Sequence, residues 1–154
     1  MKALLEREDL LHPELSYKIV GCAFSVYNQI GPGHLEKTYQ KAMAIAFAKA
    51  GLAFQEQIKT DVFFEGIRLG FRKSDFLVEN KIIVELKQGN HFGPADFKQT
   101  REYLVLRKLD LGILIRFTPV NVLFKRVINI DNDAFSNIIK ERYTDYRGAL
   151  TNNS

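Results

Sequence analysis

One cysteine, Cys22, stands in a chain of 154 residues. A disulfide framework and a cysteine zinc site are therefore excluded within one chain. Cys22 lies in an apolar helical stripe and reads as a small buried hydrophobe. Histidine is nearly as scarce. His12, His34 and His91 show no paired ligand spacing, which argues against a histidine-based metalloenzyme. No run reaches the roughly 18 apolar residues that a membrane span needs. The opening MKALLERED has too short an apolar run for a signal peptide. These absences predict a cytoplasmic protein with no membrane partner. There is no internal repeat and no low-complexity segment. A strong charge of one sign is also missing: 22 Lys and Arg against 18 Asp and Glu give +4. That balance permits a nucleic-acid partner without demanding one. It leaves a homo-oligomer open.

What is present suits one packed domain. Hydrophobic residues make up 46%, and twelve Phe with six Tyr supply bulky anchors in place of the absent Trp. Pro13 opens a helix with Leu15, Ile19, Ala23, Val26 and Ile30 on one face, and Gly31 stops it. A second helix starts near His34, with the stripe Leu35, Tyr39, Met43, Ala46 and Ala50. The period then changes to that of strands. Strands are predicted over Phe54–Phe64, Ile67–Val78 and Ile82–Lys87, with a helix from Pro94 to about Lys108. Strands follow over Leu111–Phe117 and Asn121–Ile130, then a closing helix from Asp133 to about Tyr143. The order predicts an α/β fold, a mixed central β-sheet flanked by helices. The domain is predicted to span residues 1–147, with a disordered tail over 148–154.

The stretch SDFLVENKIIVELKQ, Ser74 to Gln88, places charges inside strands. Glu85 and Lys87 are two apart and share a face, while Ile82, Val84 and Leu86 point to the other. A three-residue turn, Glu79 to Lys81, pairs Val78 with Ile82 and sets Asp75 opposite Glu85. A two-residue turn pairs Asp75 with Val84 instead, unless a bulge intervenes. The aligned register is the one expected. Two carboxylates at 4 Å repel by about 4 kcal/mol at an effective dielectric of 20. Three resolutions are open: protonation of one acid, neutralisation by Lys87, or a hard divalent cation such as Mg²⁺. Alone, the hairpin also fits a solvated charged sheet face.

The flanks weigh against that plainer reading. Gln99 and Tyr103 stand at i, i+4 on the third helix, with Lys98 and Arg101 beside them. An amide, an aromatic and bases near an acidic pair suit a phosphate backbone. Upstream, GPGHLEKTY opens the second helix. No Gly-Lys-Ser/Thr follows its glycines, so it is not a P-loop. Glu36 falls in the first turn, where an acid gains from the helix dipole. It also lies beside the core stripe and can lean toward the sheet as a third carboxylate.

GPGHLEKTY, SDFLVENKIIVELK and QTREY, in this order, resemble the bacterial GxxExxY proteins, a branch of the PD-(D/E)XK nuclease superfamily. The naming motif runs from Gly33 through Glu36 to Tyr39, and the likeness covers roughly residues 15 to 130. The resemblance implies a restriction-endonuclease-like αβββαβ core, here with an extra N-terminal helix. It implies that Asp75 and Glu85 are metal-binding acids, that Leu86 adds its carbonyl, and that Lys87 is the catalytic lysine. Glu36 matches the helical acid that helps to hold the metal. Gln99 and Tyr103 resemble the Gln-x-x-x-Tyr motif of the RecB-like branch, which positions substrate. Ser74 stands where the superfamily name has proline. The implied activity is Mg²⁺-dependent hydrolysis of DNA, with Mn²⁺ as a substitute. Lys98 and Arg101 would contact the nucleic acid. The alternative is a non-catalytic module on the same fold, binding nucleic acid or a protein partner.

Overall fold

The computed structural model describes residues 11–89 and 91–129. The predicted closing helix and the tail over 148–154 lie outside the described residues. Eight elements follow in chain order: α1 (Pro13–Ile30), α2 (Glu36–Lys49), β1 (Phe54–Phe64), β2 (Ile67–Val78), β3 (Ile82–Lys87), α3 (Pro94–Arg107), β4 (Leu111–Phe117) and β5 (Val122–Ile128). The strands form one sheet in the order β1-β2-β3-β4-β5. β3 and β4 run parallel, and every other pair is antiparallel. A parallel pair needs a crossover, and α3 supplies it.

The sheet buries both faces. Phe76, Val78, Ile82, Val84 and Leu86 pack against α1 and α2, together with Ile113 and Ile115. Leu77, Ile83 and Leu114 pack with Leu104 of α3 on the other face. This two-sided burial explains why β3 opens as Ile-Ile-Val before any charge appears. α1 buries Ile19, Ala23 and Val26 of its predicted stripe and Val20 besides, while Leu15 is half-buried and Ile30 at its end is exposed. Gly31 follows in a left-handed backbone (φ 70°) and donates to the Tyr27 carbonyl. In α2 the buried stripe is Tyr39, Met43 and Phe47. Phe47, four residues after Met43, is buried where the sequence stripe ran through Ala46, three after it, which is half-buried. Leu35 falls just outside the helix and is exposed. Cys22 is buried, and its thiol reaches the Ala46 carbonyl of α2 at 3.6 Å.

Gly112 lets α3 lie close on β4. A Cβ there would meet Thr100 Cγ2 at 2.6 Å, well inside van der Waals contact. Gly112→Ala should therefore lift α3 and lower stability by about 1–3 kcal/mol. Chemical denaturation reads this as a lower midpoint at unchanged slope.

Candidate active site

The site forms where β2 and β3 part. Val78 pairs with Ile82 and Phe76 with Val84. The turn between them is the three-residue one: Glu79 and Asn80 are both left-handed (φ 52° and 53°), and Lys81 N–H reaches the Val78 carbonyl at 3.0 Å. Beyond Phe76 and Val84 the ladder gives way to side chains. Asp75 N–H donates to Glu85 Oε1 at 3.0 Å, and Leu86 N–H donates to Asp75 Oδ2 at 2.7 Å. Each carboxylate satisfies a backbone donor of the opposite strand. The two acids are thereby fixed side by side.

β1 shapes the same point from the other side. Glu56 pairs with Phe76 and Ile58 with Ser74, so Gln57 falls opposite Asp75. Gln57 has a left-handed backbone (φ 50°), and its side chain hydrogen-bonds Asp75. The alternation of β2 slips in this stretch. Arg72 pairs with Glu102 of α3 at 3.4 Å, and Leu77 also packs on the α3 side. Five residues apart, a regular strand would put them on opposite faces. Sequence reasoning missed Gln57, because nothing in a glutamine of a β-rich run signals a left-handed residue.

Burial sets the electrostatics. Glu85 is 4% exposed. Its carboxyl is pushed up to about 8, first by burial and then by Asp75, with Lys87 opposing. Asp75 is also raised by burial, against the Leu86 N–H, Lys87 and Gln57. Glu36, half-buried at the first residue of α2, is raised by burial and by Asp75. Loss of solvation there outweighs the helix dipole. Three acids resist ionisation together. Among the described residues, no three acid, imidazole or thiol side chains are gathered into a ready metal cage. Glu36 couples to the pair through the field rather than by contact. Two close carboxylates with adjacent backbone carbonyls still suit Mg²⁺, which uses one or two carboxylates and completes its shell with water and phosphate oxygens.

Lys87 closes the site on the α3 side. Its Nζ donates to Gln99 Oε1 at 3.0 Å and stands 3.9 Å from Glu85 Oε2. It is also 3.9 Å from Asp96 Oδ1. Gln99 in turn donates to the Tyr103 hydroxyl at 3.5 Å. Tyr103 is fully buried, and its hydroxyl donates to the Lys73 carbonyl of β2. The i, i+4 pair thus reaches Lys87 through Gln99, while Tyr103 braces α3 against β2. Burial pushes the phenol up to about 12, with the Glu85 charge adding to it. Lys98 and Arg101 are exposed along a groove of about 860 Å³ shared with Arg72, Phe92 and Phe97. A second cleft, of about 340 Å³, opens beside Glu36, Leu86 and Lys87, with Tyr39 and Phe117 stacked at 4.1 Å on its wall. His91 is an exposed loop residue. His34 contacts the Ile30 carbonyl at 2.6 Å.

A mixed sheet whose central hairpin ends in Asp, Glu and Lys, flanked by helices on both faces, defines a restriction-endonuclease-like nuclease fold. The chain belongs to the PD-(D/E)XK nuclease superfamily, whose family model matches residues 13–127. No curated protein matches the chain. Among solved structures it is similar to an alkaline exonuclease, LHK-Exo, from Laribacter hongkongensis. The identity is 14%, over 99% of this chain and 86% of that one, with a TM-score of 0.47. The same exonuclease in complex with dAMP gives 13% identity over the same shares, at 0.47. The protein SSO0001 gives 12% identity over 77% of each chain, at 0.45.

Proposed function

We propose that this chain hydrolyses phosphodiester bonds of DNA with Mg²⁺, for which Mn²⁺ can substitute. The observation that carries the reading is the pair of buried Glu85 and half-buried Asp75, fixed side by side by backbone donors with the Lys87 ammonium 3.9 Å from Glu85. Asp75 and Glu85 would hold the ion, with the Leu86 carbonyl and Glu36 completing the protein's share. When bound, the ion neutralises phosphate charge and makes water a better nucleophile. Lys87 orients the attacking water or stabilises charge building on the phosphoryl oxygens. Gln99 holds the Lys87 ammonium in place, and Tyr103 keeps Gln99 and α3 in register with β2.

The path of the strand follows the two openings. The cleft by Glu36 and Lys87 receives the scissile phosphate, and the groove along α3 continues it. Lys98, Arg101 and Arg72 take phosphates there, and Phe92 and Phe97 offer apolar surface to sugar or base. Within the superfamily, we place the chain with the GxxExxY proteins. Glu36 couples to the acids and Tyr39 is buried behind it, and the Gln99–Tyr103 pair is a feature of the RecB-like branch.

Labelled single- and double-stranded DNA, incubated with Mg²⁺ or Mn²⁺ and with chelator, tests the activity. Cutting that needs the ion supports the reading. Binding without cutting in every condition replaces it with a non-catalytic module. Calorimetry with Asp75→Ala locates the ion, and an unchanged Mg²⁺ titration would move it away from this hairpin. The double variant Lys98→Ala, Arg101→Ala tests the strand path. Each lost phosphate contact should lower the slope of log K against log salt by about 0.9 on duplex and about 0.7 on single strands. An unchanged slope removes both residues from the interface.

A further inference from the structure

Arg116 is a charged residue in an otherwise apolar central strand, and it is 5% exposed. It pairs in parallel register with Lys87 of β3. A buried guanidinium needs a partner, and it has one in Asp96 of α3, with Nη2 to Oδ2 at 2.6 Å. Among the described residues its Nε and Nη1 have no hydrogen-bond partner. The Phe92 ring, 5.0 Å from its Cζ, covers it instead. Gly89 comes close as well: a Cβ there would lie 3.5 Å from Nη1.

Asp96 divides its two oxygens. Oδ2 takes Arg116 and the Gly93 N–H at 2.9 Å, which caps α3. Oδ1 faces Lys87 Nζ at 3.9 Å, the same distance at which Glu85 Oε2 faces that ammonium from the other side. Lys87 therefore hangs between two carboxylates and is tied by Gln99. A carboxylate free of Arg116 would close on Lys87 and draw it off Glu85. A missing carboxylate would let Lys87 collapse toward Glu85 and Asp75.

We propose that Asp96 and Arg116 are positioning residues: the ion pair holds one carboxylate oxygen at a fixed distance from Lys87 and so sets where its ammonium stands. This rests on the nuclease reading for its consequence but not for its geometry. Neither residue touches the expected path of the scissile phosphate.

The test uses the double variant Asp96→Asn, Arg116→Met, which removes both charges together and leaves no unpaired buried ion. Nitrogen-15 NMR of the lysine ammonium groups gives the first readout, with the Lys87 signal identified by its loss in Lys87→Ala. The Lys87 signal should shift or broaden in the double variant while the melting temperature stays near that of the parent. The second readout is cleavage: kcat should fall roughly 10–100-fold with KM within about two-fold, as misplacement of a catalytic group predicts. An unmoved Lys87 signal overturns the proposal whatever cleavage does. So does an unchanged kcat in a protein that cuts. A parent protein that never cuts defeats the nuclease reading alone, and the ammonium signal still decides the placement. Should the double variant fail to fold, Asp96→Glu keeps both charges, moves the carboxylate by one methylene, and should shift the same signal.

Discussion

Glu85→Gln should make the metal-free protein more stable at neutral pH while abolishing cleavage. Glutamine keeps an oxygen for the Asp75 N–H, so the contact that fixes the hairpin survives. Its amide can donate toward the Asp75 carboxylate where Glu85 repels it. The sign follows from the carboxyl being raised in the fold to about 8 from 4.5. The fold favours the protonated form. That contribution is complete below about pH 4.5 and is lost as pH rises through about 8. The parent protein without metal should therefore melt at falling temperature over that window, and the variant should show less of the decline. Asp75 and Glu36 are raised too, so some slope remains. At pH 8 the gap should reach several degrees, since each kcal/mol moves a domain of this size by about 2–4 °C. Mg²⁺ should narrow the gap by stabilising the parent far more than the variant. A variant that melts at or below the parent at pH 8 without metal would show that the pair is not under electrostatic strain. Natural sites of this kind trade stability for function.

The register of the hairpin was legible because strand parity leaves few choices. With β3 apolar at Ile82, Val84 and Leu86, Glu85 and Lys87 had to share the other face, and only turn length remained open. Both central turn residues took left-handed backbone although neither is glycine, which composition does not announce. The i, i+4 rule found Gln99 and Tyr103 together. It could not say that the phenol turns inward to the Lys73 carbonyl while the amide turns to Lys87. Arg116 carried a signal that went unread: a lone charge in LGILIRF has to be paired once that strand is central. Asp96 carried one as well, three residues after Gly93 at a capping position. Their joining depends on the crossover that lays α3 over β4, a long-range contact that no local pattern encodes. The stripe of α2 differed by one position because Ala46 and Phe47 are both apolar, and the face that buries the larger side chain wins.

Lys87→Ala should lower cleavage by roughly 10²–10³-fold, the scale for removing one preorganised donor from a developing charge. The ammonium stands 3.9 Å from Glu85 Oε2, with its side chain 18% exposed. It is held at 3.0 Å by Gln99 rather than locked to Glu85 at contact distance. A lysine used only to neutralise the acid would close that 3.9 Å gap. The variant separates two roles that other substitutions blur, because both carboxylates stay in place. Removing a positive charge beside Glu85 leaves the proposed cation site more negative, so Mg²⁺ should bind as tightly as before or more tightly. The same loss leaves Glu85 and Asp96 less compensated, so the metal-free variant should melt lower at neutral pH and recover with Mg²⁺. Calorimetry, melting and cleavage on one preparation read all three. Retained Mg²⁺ binding with lost cleavage assigns Lys87 to the chemistry. Cleavage within about ten-fold of the parent would make it a neutralising partner of the acids and nothing more.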